Sequence, residues 1–341
     1  MTRAPKQLPL IGITMGDPVG IGPEIIVKAL SEKHLLSMCR PVVFGDRRIL
    51  AREPGGSGLT IETLSERDLN NIRPKPGTIP LIPVSDLDPE NSRYGNPDPE
   101  SGTAMADYIT KAVTAASSGR IDALVTAPIN KASLRAAGYD FPGHTEMLAQ
   151  LTNTQKVVMM LAGTRLRVVL VTIHCALKEV PGQISAEKIF TTIAITHDHL
   201  KKYFNIEKPR IAVAALNPHG GENGLFGSEE TEHILPAIRQ AENKNMNVQG
   251  PFPPDTLFYR AAKGAFDAVV CMYHDQGLIP LKMLHFEDGV NISLGLPIIR
   301  TSVDHGTAYD IAGRNKADPS SLIRAVQMAA EMVANRYPSR E

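Results

Sequence analysis

Net charge is almost absent from this sequence of 341 residues. Its 36 lysines and arginines are balanced by 36 aspartates and glutamates, so the formal net charge at pH 7 is zero. Proteins that bind nucleic acids or membrane surfaces through bulk charge carry a clear cationic excess, and the sequence therefore argues against both classes. A local cationic pocket for a phosphate or a carboxylate is still compatible with this balance.

Cysteine is scarce as well. Cys39, Cys175 and Cys271 are the three in the chain, and no two of them form a CxxC pair. Such a set gives no paired disulfide framework and is typical of a protein from a reducing cytoplasm. Cys175 and Cys271 lie close to two of the histidines considered below and could line a site, although buried thiols at strand ends often act only as small apolar residues.

Long apolar runs are missing too. None approaches the roughly 20 residues that a membrane-spanning helix needs, and the N-terminal stretch lacks the apolar core of a signal peptide. Internal repeats and low-complexity tracts are not found. We therefore expect a cytoplasmic protein whose partners include neither a membrane nor a nucleic acid.

What the sequence does contain is a regular alternation of short β-branched runs with longer segments of helical spacing. This alternation predicts a largely parallel, doubly wound α/β architecture, and the length suggests two domains or one large one. The predicted strands are Leu10–Thr14, Pro41–Phe44, Thr78–Val84, Asp122–Thr126, Val157–Leu161, Val168–Ile173, Arg210–Leu216, Asp267–Met272 and Val290–Leu294. The predicted helices are Pro23–Leu30, Gly102–Ala116, Ala186–Tyr203, Glu229–Glu242 and Ser320–Asn335.

Three histidines each follow an apolar run that is predicted to be a strand. His174 comes after VVLVTI, His219 after IAVAALNP, and His274 after DAVVCMY. Open α/β sheets collect ligands at the carboxyl ends of their strands, and three neutral imidazoles with an open position suit zinc or a similar transition metal. Any one of them could simply be a polar residue at a strand end, but three in the same setting favour a metal site.

The first predicted strand runs into a glycine-rich turn, Met15–Glu24, with Pro23 near the first helical position. A helix N-terminus at this place can hold an anion. The turn is not a G-x-G-x-x-G fingerprint followed by an acidic residue, and it lacks the Lys and Ser/Thr of a P-loop. A bare tight turn and an anion site are therefore equal alternatives.

A segment near the C-terminus is far more specific. His305–Gly313, HGTAYDIAG, resembles the nucleotide-binding loop of the β-decarboxylating dehydrogenases, the isocitrate and isopropylmalate dehydrogenase group, and Met15–Glu24 is similar to the first loop of that group. The resemblance implies a two-domain α/β isocitrate/isopropylmalate dehydrogenase-like fold with an interdomain cleft, NAD binding without a Rossmann fold, and a homodimer.

A closer resemblance covers nearly the whole chain. The sequence is similar to the 4-hydroxythreonine-4-phosphate dehydrogenase family in the segments Met15–Glu24, Val125–Lys131, Pro142–Glu146, Asn217–Glu222, Met272–Gly277, Gly289–Ile292 and Arg300–Gly306. The resemblance implies oxidation of a secondary alcohol beta to a carboxylate by NAD, with NADP as the alternative nucleotide. Loss of carbon dioxide then gives a ketone phosphate for pyridoxal phosphate biosynthesis.

The same resemblance implies roles for individual residues. The metal ligands would be His174, His219 and His274, one of them supplied by the second subunit; zinc suits three imidazoles best, with cobalt or magnesium as alternatives. The implied substrate-binding residues are His144, Thr145, Lys282, Asn291 and Arg300. The implied cofactor-binding residues are His305, Gly306, Thr307, Ala308, Asp310 and Gly313. The resemblance also places Asp255 in the active site. Asp275, next to His274, is a candidate to orient that imidazole or to relay a proton, and the general base stays open between Lys282 and Asp275.

Several functions fit these motifs. Relatives of the family act on 4-phosphorylated threonate or erythronate, or on cis-dihydrodiols of aromatic dicarboxylates, and the loop Gly221–Gly227 looks more like the sugar-acid branch. Retention of Lys282, Asn291 and Arg300 favours a phosphorylated substrate over a dihydrodiol. An acyl or phosphoryl transferase, or a phosphate-ester binding protein, is the alternative from another class, since fold does not fix function.

The family architecture also implies domain bounds. A nucleotide-binding α/β domain would comprise 1–140 and 300–341, and a second α/β domain, 141–299, would carry the substrate, metal and dimer contacts. The five histidines outside the motifs are predicted to lie on the surface: His34, His197, His199, His233 and His285.

Overall fold

The chain forms two compact units. The structure, a computed structural model, describes residues 8–56 and 58–336. One unit comprises the chain up to Gln155 together with the part from Leu296 onward, and the other comprises Lys156–Gly295. The sequence predicted that the chain passes between the domains near residues 140 and 300. The first passage lies after Gln155 instead, so His144 and Thr145 belong to the first unit.

The described strands of the first unit form a parallel sheet with the order β3-β4-β2-β1-β5-β12. Strands β1 and β2 are buried along their whole length, which explains why their sequences are almost continuously apolar. The strands, numbered along the chain, are β1 (Leu10–Thr14), β2 (Arg40–Asp46), β3 (Thr60–Thr63), β4 (Thr78–Ser85), β5 (Ala123–Thr126) and β12 (Arg300–Ser302).

The second unit has the strand order β11-β6-β7-β10-β8-β9 in its described residues. Its strands are β6 (Val158–Ala162), β7 (Arg167–Leu170), β8 (Arg210–Ala214), β9 (Asn247–Phe252), β10 (Ala268–Cys271) and β11 (Val290–Leu294). Strand β6 is antiparallel to both β7 and β11, whereas the remaining pairs are parallel. The predicted, largely parallel α/β fold is therefore confirmed, with one hairpin that the sequence did not predict.

All five predicted helices are present with small shifts at their ends, except that Glu230–Ile234 is a π-helical turn before α9. No helix in the described part of the chain has both the length and the apolar character needed to cross a bilayer. The helices are α1 (Gly22–Ser31), α2 (Leu35–Met38), α3 (Arg47–Ala51), α4 (Pro99–Ser117), α5 (Lys131–Ala136), α6 (His144–Leu151), α7 (Val180–Gln183), α8 (Ala186–Phe204), α9 (Leu235–Glu242), α10 (Pro254–Ala262), α11 (His274–His285) and α12 (Ser320–Arg336).

The surface prediction for His285 is wrong. This residue ends α11 and is only 3% exposed, because its ring lies against the β6–β7 turn, where a Cβ on Gly163 would be 2.2 Å from the ring. Its Nδ1 donates to Asp288 Oδ1 at 3.0 Å, and its Nε2 accepts from the Arg165 amide at 3.3 Å. Both ring nitrogens are thus satisfied inside the unit, as buried polar groups require.

Close packing between α4 and α5 gives a test of the first unit. A Cβ on Gly102 would lie 2.1 Å from the Ser133 carbonyl oxygen, so we expect Gly102→Ala to lower the free energy of unfolding by roughly 1–3 kcal/mol through overpacking. Thermal unfolding measures this as a lower Tm. Thr110→Ala on the exposed face of the same helix is the matched control and should change it by less than about 0.5 kcal/mol. Equal Tm values for the two variants would contradict the packing shown.

Candidate active site

His174 and His274 lie side by side in the second unit. Their ring centroids are 5.8 Å apart and their planes make an angle of 42°. Strands β7 and β10 are parallel neighbours that end together at Leu170 and Cys271. Beyond those ends Thr172 donates to the Met272 carbonyl from its amide at 3.1 Å and from its hydroxyl at 2.7 Å. The two strand ends are thereby tied together, and each delivers its histidine to the same place.

The carboxylate of Asp275 fixes the tautomer of His274. Its Oδ1 lies 2.7 Å from His274 Nδ1, and a carboxylate can only accept, so Nδ1 carries the proton and Nε2 keeps its lone pair. This carboxylate–histidine pairing is the arrangement that orients imidazoles toward metals. Both histidines line an open pocket of about 680 Å³, which Cys175, Tyr273 and Asp275 also line.

His219 is presented differently, on the loop Pro218–Gly224 that follows β8. The residues from His219 to Asn223 all have positive φ, between 43° and 82°, so the chain makes a left-handed turn that costs roughly 1–2 kcal/mol for each residue other than glycine. The His219 ring is exposed and contacts Phe226, with centroids 6.3 Å apart. Within the described residues, no group of three His, Cys, Asp or Glu side chains is arranged to hold a metal. One chain therefore brings two of the three predicted ligands together and not the third.

A buried cation lies in the first unit. Arg300 on β12 is 2% exposed, and its Nη2 donates to Thr126 Oγ1 on the neighbouring strand β5 at 2.7 Å. Burial lowers the pKa of this guanidinium to about 9, so it is still charged at neutral pH. An anion bound beside it would offset the cost of keeping that charge out of water.

His144 is the neutral neighbour of this cation. The pKa of its imidazole lies well below the usual value because burial disfavours the charged ring, and the positive charges of Arg300 and Lys131 act in the same direction. Its Nε2 is buried and has no hydrogen-bond partner among the described residues. A buried polar atom of this kind is open to a ligand. Thr145 is the second residue of α6 and Gly143 is the N-cap, so Thr145 does not cap the helix.

The remaining predicted substrate and catalytic residues lie in the second unit. Asn291 on β11 keeps a buried Oδ1 that has no hydrogen-bond partner in the described part of the chain. Lys282 is half-buried on α11, with its Nζ 5.9 Å from the centroid of the Phe286 ring. Asp255 is exposed in the first turn of α10, a different helix from the one that begins with His274.

The predicted nucleotide loop packs on the glycine-rich turn. The Tyr309 hydroxyl donates to the Asp17 carboxylate, and the Ile21 amide donates to the Thr307 carbonyl at 3.0 Å. Burial raises the pKa of Asp17, and the hydrogen bond from Tyr309 opposes that rise. His305, Gly306 and Asp310 are exposed, so the loop is held on one side and presents polar groups on the other.

Sequence reasoning missed three participants in these clusters. Thr126 accepts a hydrogen bond from Arg300, Lys131 lies near His144, and Tyr309 donates to Asp17. Lys131 and Thr126 both belong to the family-like segment Val125–Lys131, which was the available signal. No signal in the sequence paired Tyr309 with Asp17, because 292 positions separate them.

Solved structures identify the class. The chain matches a 4-hydroxythreonine-4-phosphate dehydrogenase structure from Klebsiella pneumoniae with a TM-score of 0.87 and 41% identity, covering 95% of this chain and 99% of that chain. A phosphotransacetylase from Staphylococcus aureus, 13% identical with a TM-score of 0.54, shares the fold alone. The structure is thus that of an α/β enzyme, in agreement with the predicted fold class.

The particular family follows from the sequence comparisons. The family model of pyridoxal phosphate biosynthetic protein PdxA matches residues 37–329. A 4-hydroxythreonine-4-phosphate dehydrogenase of Desulforapulum autotrophicum is 56% identical over 94% of this chain and 95% of its own length. A D-threonate 4-phosphate dehydrogenase of Cupriavidus necator is 48% identical over 96% and 98%. The chain belongs to the PdxA family, and since these relatives are named dehydrogenases, the predicted enzyme class, oxidoreductase, is confirmed.

The cluster around His144 gives a test by NMR titration. We expect Lys131→Met to raise the pKa of His144, because it removes a positive charge that now opposes protonation. Arg135→Met is the matched control, since Arg135 lies on the same helix, is paired with Asp140 at 3.1 Å and does not act on the His144 pKa. An equal shift in both variants, or none in Lys131→Met, would contradict the proximity of Lys131 to the imidazole.

Proposed function

We propose that this enzyme uses NAD to oxidise the secondary hydroxyl of a small phosphorylated hydroxy acid and then releases carbon dioxide from the resulting β-keto acid. The observation that carries the proposal is the anion-accepting cluster of buried Arg300, neutral His144 and Lys131. A phosphate and a carboxylate both need fixed donors of this kind. The names of the relatives from Desulforapulum and Cupriavidus support the same substrate class.

The side chains have distinct tasks in this reaction. Arg300 and Lys131 bind the anionic groups, and His144 Nε2 forms a hydrogen bond that orients the substrate. This nitrogen has no hydrogen-bond partner among the described residues. Asn291 offers its buried Oδ1 to the substrate in the same way. Groups that bind and orient a substrate in this way convert binding energy into orientation of the reacting hydroxyl.

Proton transfer is assigned to Lys282. Asp275 is already engaged with His274 Nδ1 at 2.7 Å, so its task is to hold that imidazole in the ligand tautomer. Lys282 lies on the same helix, α11, and a lysine amine can take the proton that leaves the substrate hydroxyl. The hydrogen bond to His274 thus supports Lys282 rather than Asp275 as the proposed base.

A divalent metal fits the histidine pair. The lone pair of His274 Nε2 and the neighbouring His174 ring are the donors that zinc prefers among nitrogen ligands, with cobalt as the alternative. His219 would complete the set from a second subunit. When bound, the metal supplies positive charge that lowers the pKa of the substrate hydroxyl and stabilises the negative charge that develops as carbon dioxide leaves.

NAD would bind at the loop His305–Gly313. Tyr309 and Thr307 hold this loop against Asp17 and Ile21, which leaves the exposed Gly306 and Asp310 for the nucleotide. Because these hydrogen bonds already hold the loop in place, the loop does not have to become ordered when the cofactor binds, and this reduces the entropic cost of binding.

NADH formation tests the activity. The substrates are 4-hydroxythreonine 4-phosphate, D-threonate 4-phosphate, D-erythronate 4-phosphate and a cis-dihydrodiol of an aromatic dicarboxylate, each with and without a chelator. We expect NADH absorbance to increase with a phosphorylated hydroxy acid. In Arg300→Met the rate of this increase should be at least about 100-fold lower, because a buried charge-assisted contact is worth about 3 kcal/mol. Chelation should stop it, and zinc or cobalt should restore it.

A matched control and the contrary results complete this test. Arg135→Met removes an exposed arginine that is paired with Asp140 and should leave the rate unchanged. D-Threonate 4-phosphate is the second candidate substrate, favoured by the similarity to the Cupriavidus enzyme. NADH from none of the phosphorylated acids would contradict the proposal, and reduction with the dihydrodiol alone would move the enzyme to the aromatic branch.

We also propose that a second copy of the chain covers one face of α11. Ile279, Met283 and Phe286 are 59%, 81% and 79% exposed, and their helical spacing puts them on one stripe. Leu225 and Phe226, near His219, are also exposed, at 71% and 47%. Exposed apolar residues of this kind are typical of a protein interface.

Sedimentation measures this association. We expect Met283→Glu to shift the protein from dimer to monomer, because it inserts a charge into an apolar contact that excludes water. Lys201→Glu, on the exposed side of α8, is the charge-changing control and should leave the dimer intact. A wild-type protein that sediments as a monomer at all concentrations would contradict the dimer.

A further inference from the structure

Glu230 is a buried carboxylate without a part in the chemistry described so far. It is 3% exposed and begins the π-helical turn Glu230–Ile234. Carboxylates are almost never fully buried unless they are paired or hydrogen-bonded, and π-helical turns occur frequently at functional sites. Its contacts therefore indicate what it does.

Each oxygen of Glu230 is occupied by the segment that leads into the His219 loop. Oε1 accepts from the amides of Leu216 and Asn217, both at 2.8 Å. Oε2 accepts from Asn217 Nδ2 at 2.9 Å, and the same amide nitrogen donates to Glu229 Oε2 at 2.7 Å. The carboxylate thus fixes the backbone and the side chain of the residue that stands two positions before His219.

The left-handed turn also passes directly over this carboxylate. A Cβ on Gly221 would lie 2.7 Å from Glu230 Oε2, and Gly221 has a φ of 82°. The Phe226 amide closes the loop by donating to the Gly221 carbonyl at 3.2 Å. Glu230 therefore holds the loop at its entry and supports it at its middle.

From these contacts we propose that Glu230 is a positioning residue that fixes the left-handed turn and so sets the direction of the His219 imidazole for a divalent metal. Unfavourable backbone conformations persist only where the surroundings determine them strongly. Glu230 accepts hydrogen bonds at the entry of the turn and contacts its middle. The inference rests on the proposed metal site and adds a residue that acts on the metal only through His219.

Metal affinity tests this role in the full-length protein. Binding of Zn²⁺ by chelator competition, and the visible spectrum of bound Co²⁺, are measured for wild type, His219→Ala, Glu230→Gln and the double variant. We expect Glu230→Gln to weaken binding by about 10- to 100-fold, the usual effect of losing a group that orients a ligand, and to change the Co²⁺ spectrum. In the His219→Ala background, Glu230→Gln should cause no further loss, since it acts through that ligand.

Glu232→Gln is the matched control. Glu232 lies in the same π-helical turn, is exposed, and loses the same charge, so binding should change by no more than about twofold. If Glu230→Gln does not fold, as judged by circular dichroism, Asn217→Ala replaces it, because that change removes the side-chain bonds and keeps both amide bonds. We expect a smaller loss in the same direction, again absent in the His219→Ala background.

The outcomes distinguish failure of the proposed metal site from failure of the positioning role of Glu230. If wild type binds no metal, or His219→Ala binds it as wild type does, the proposed metal site is wrong and the role of Glu230 falls with it. If His219→Ala weakens binding while Glu230→Gln behaves like Glu232→Gln, the metal site stands and the positioning role alone is wrong. A loss from Glu230→Gln that persists in full without His219 would likewise overturn that role.

Discussion

The parallel pairing of β7 with β10 is the constraint on which the histidine pair depends. Because parallel strands end at the same edge of a sheet, the register of Leu170 with Cys271 puts the two following segments side by side. Gln276 extends this tie to β8, since it accepts from the Met272 amide and donates to the Ala215 carbonyl, both at 2.7 Å. The strands that precede all three candidate ligands are thus joined at one edge.

The two units hold side chains that suit ligands of opposite charge. The second unit holds the neighbouring imidazoles of His174 and His274, a residue type that suits a cation, whereas the first holds the buried guanidinium of Arg300, which suits an anion. His144 lies with this anion-binding group, because burial and then the positive charges of Arg300 and Lys131 lower the pKa of its imidazole. The phosphotransacetylase likeness shows that the same fold also carries other chemistry, so it is the side chains and the family, not the fold, that support oxidation here.

How far the sequence predicts this molecule differs from element to element. Strands such as β1 and β10 are predictable because they are buried and continuously apolar. Strands β3 and β12 are short and polar, and β9 contains Pro251, so tertiary pairing rather than local pattern forms them. Helix α11 escapes prediction because Pro280 lies inside it, and with it the burial of His285 and the exposed apolar stripe are missed. The family-like motifs supply the candidate site residues, whose roles stay predictions, but they do not predict the long-range contacts that hold those residues.

The division of the chain into one continuous and one interrupted unit has a consequence for its synthesis. The described strands of Lys156–Gly295 come from one continuous stretch of chain. In the other unit, β5 can pair with β12 only after β12, the last of the described strands, has been synthesised. Since domains fold as units while the chain emerges, the nascent protein acquires its paired imidazoles before it acquires the buried arginine. The half suited to a cation is thus complete while the half suited to an anion is still open.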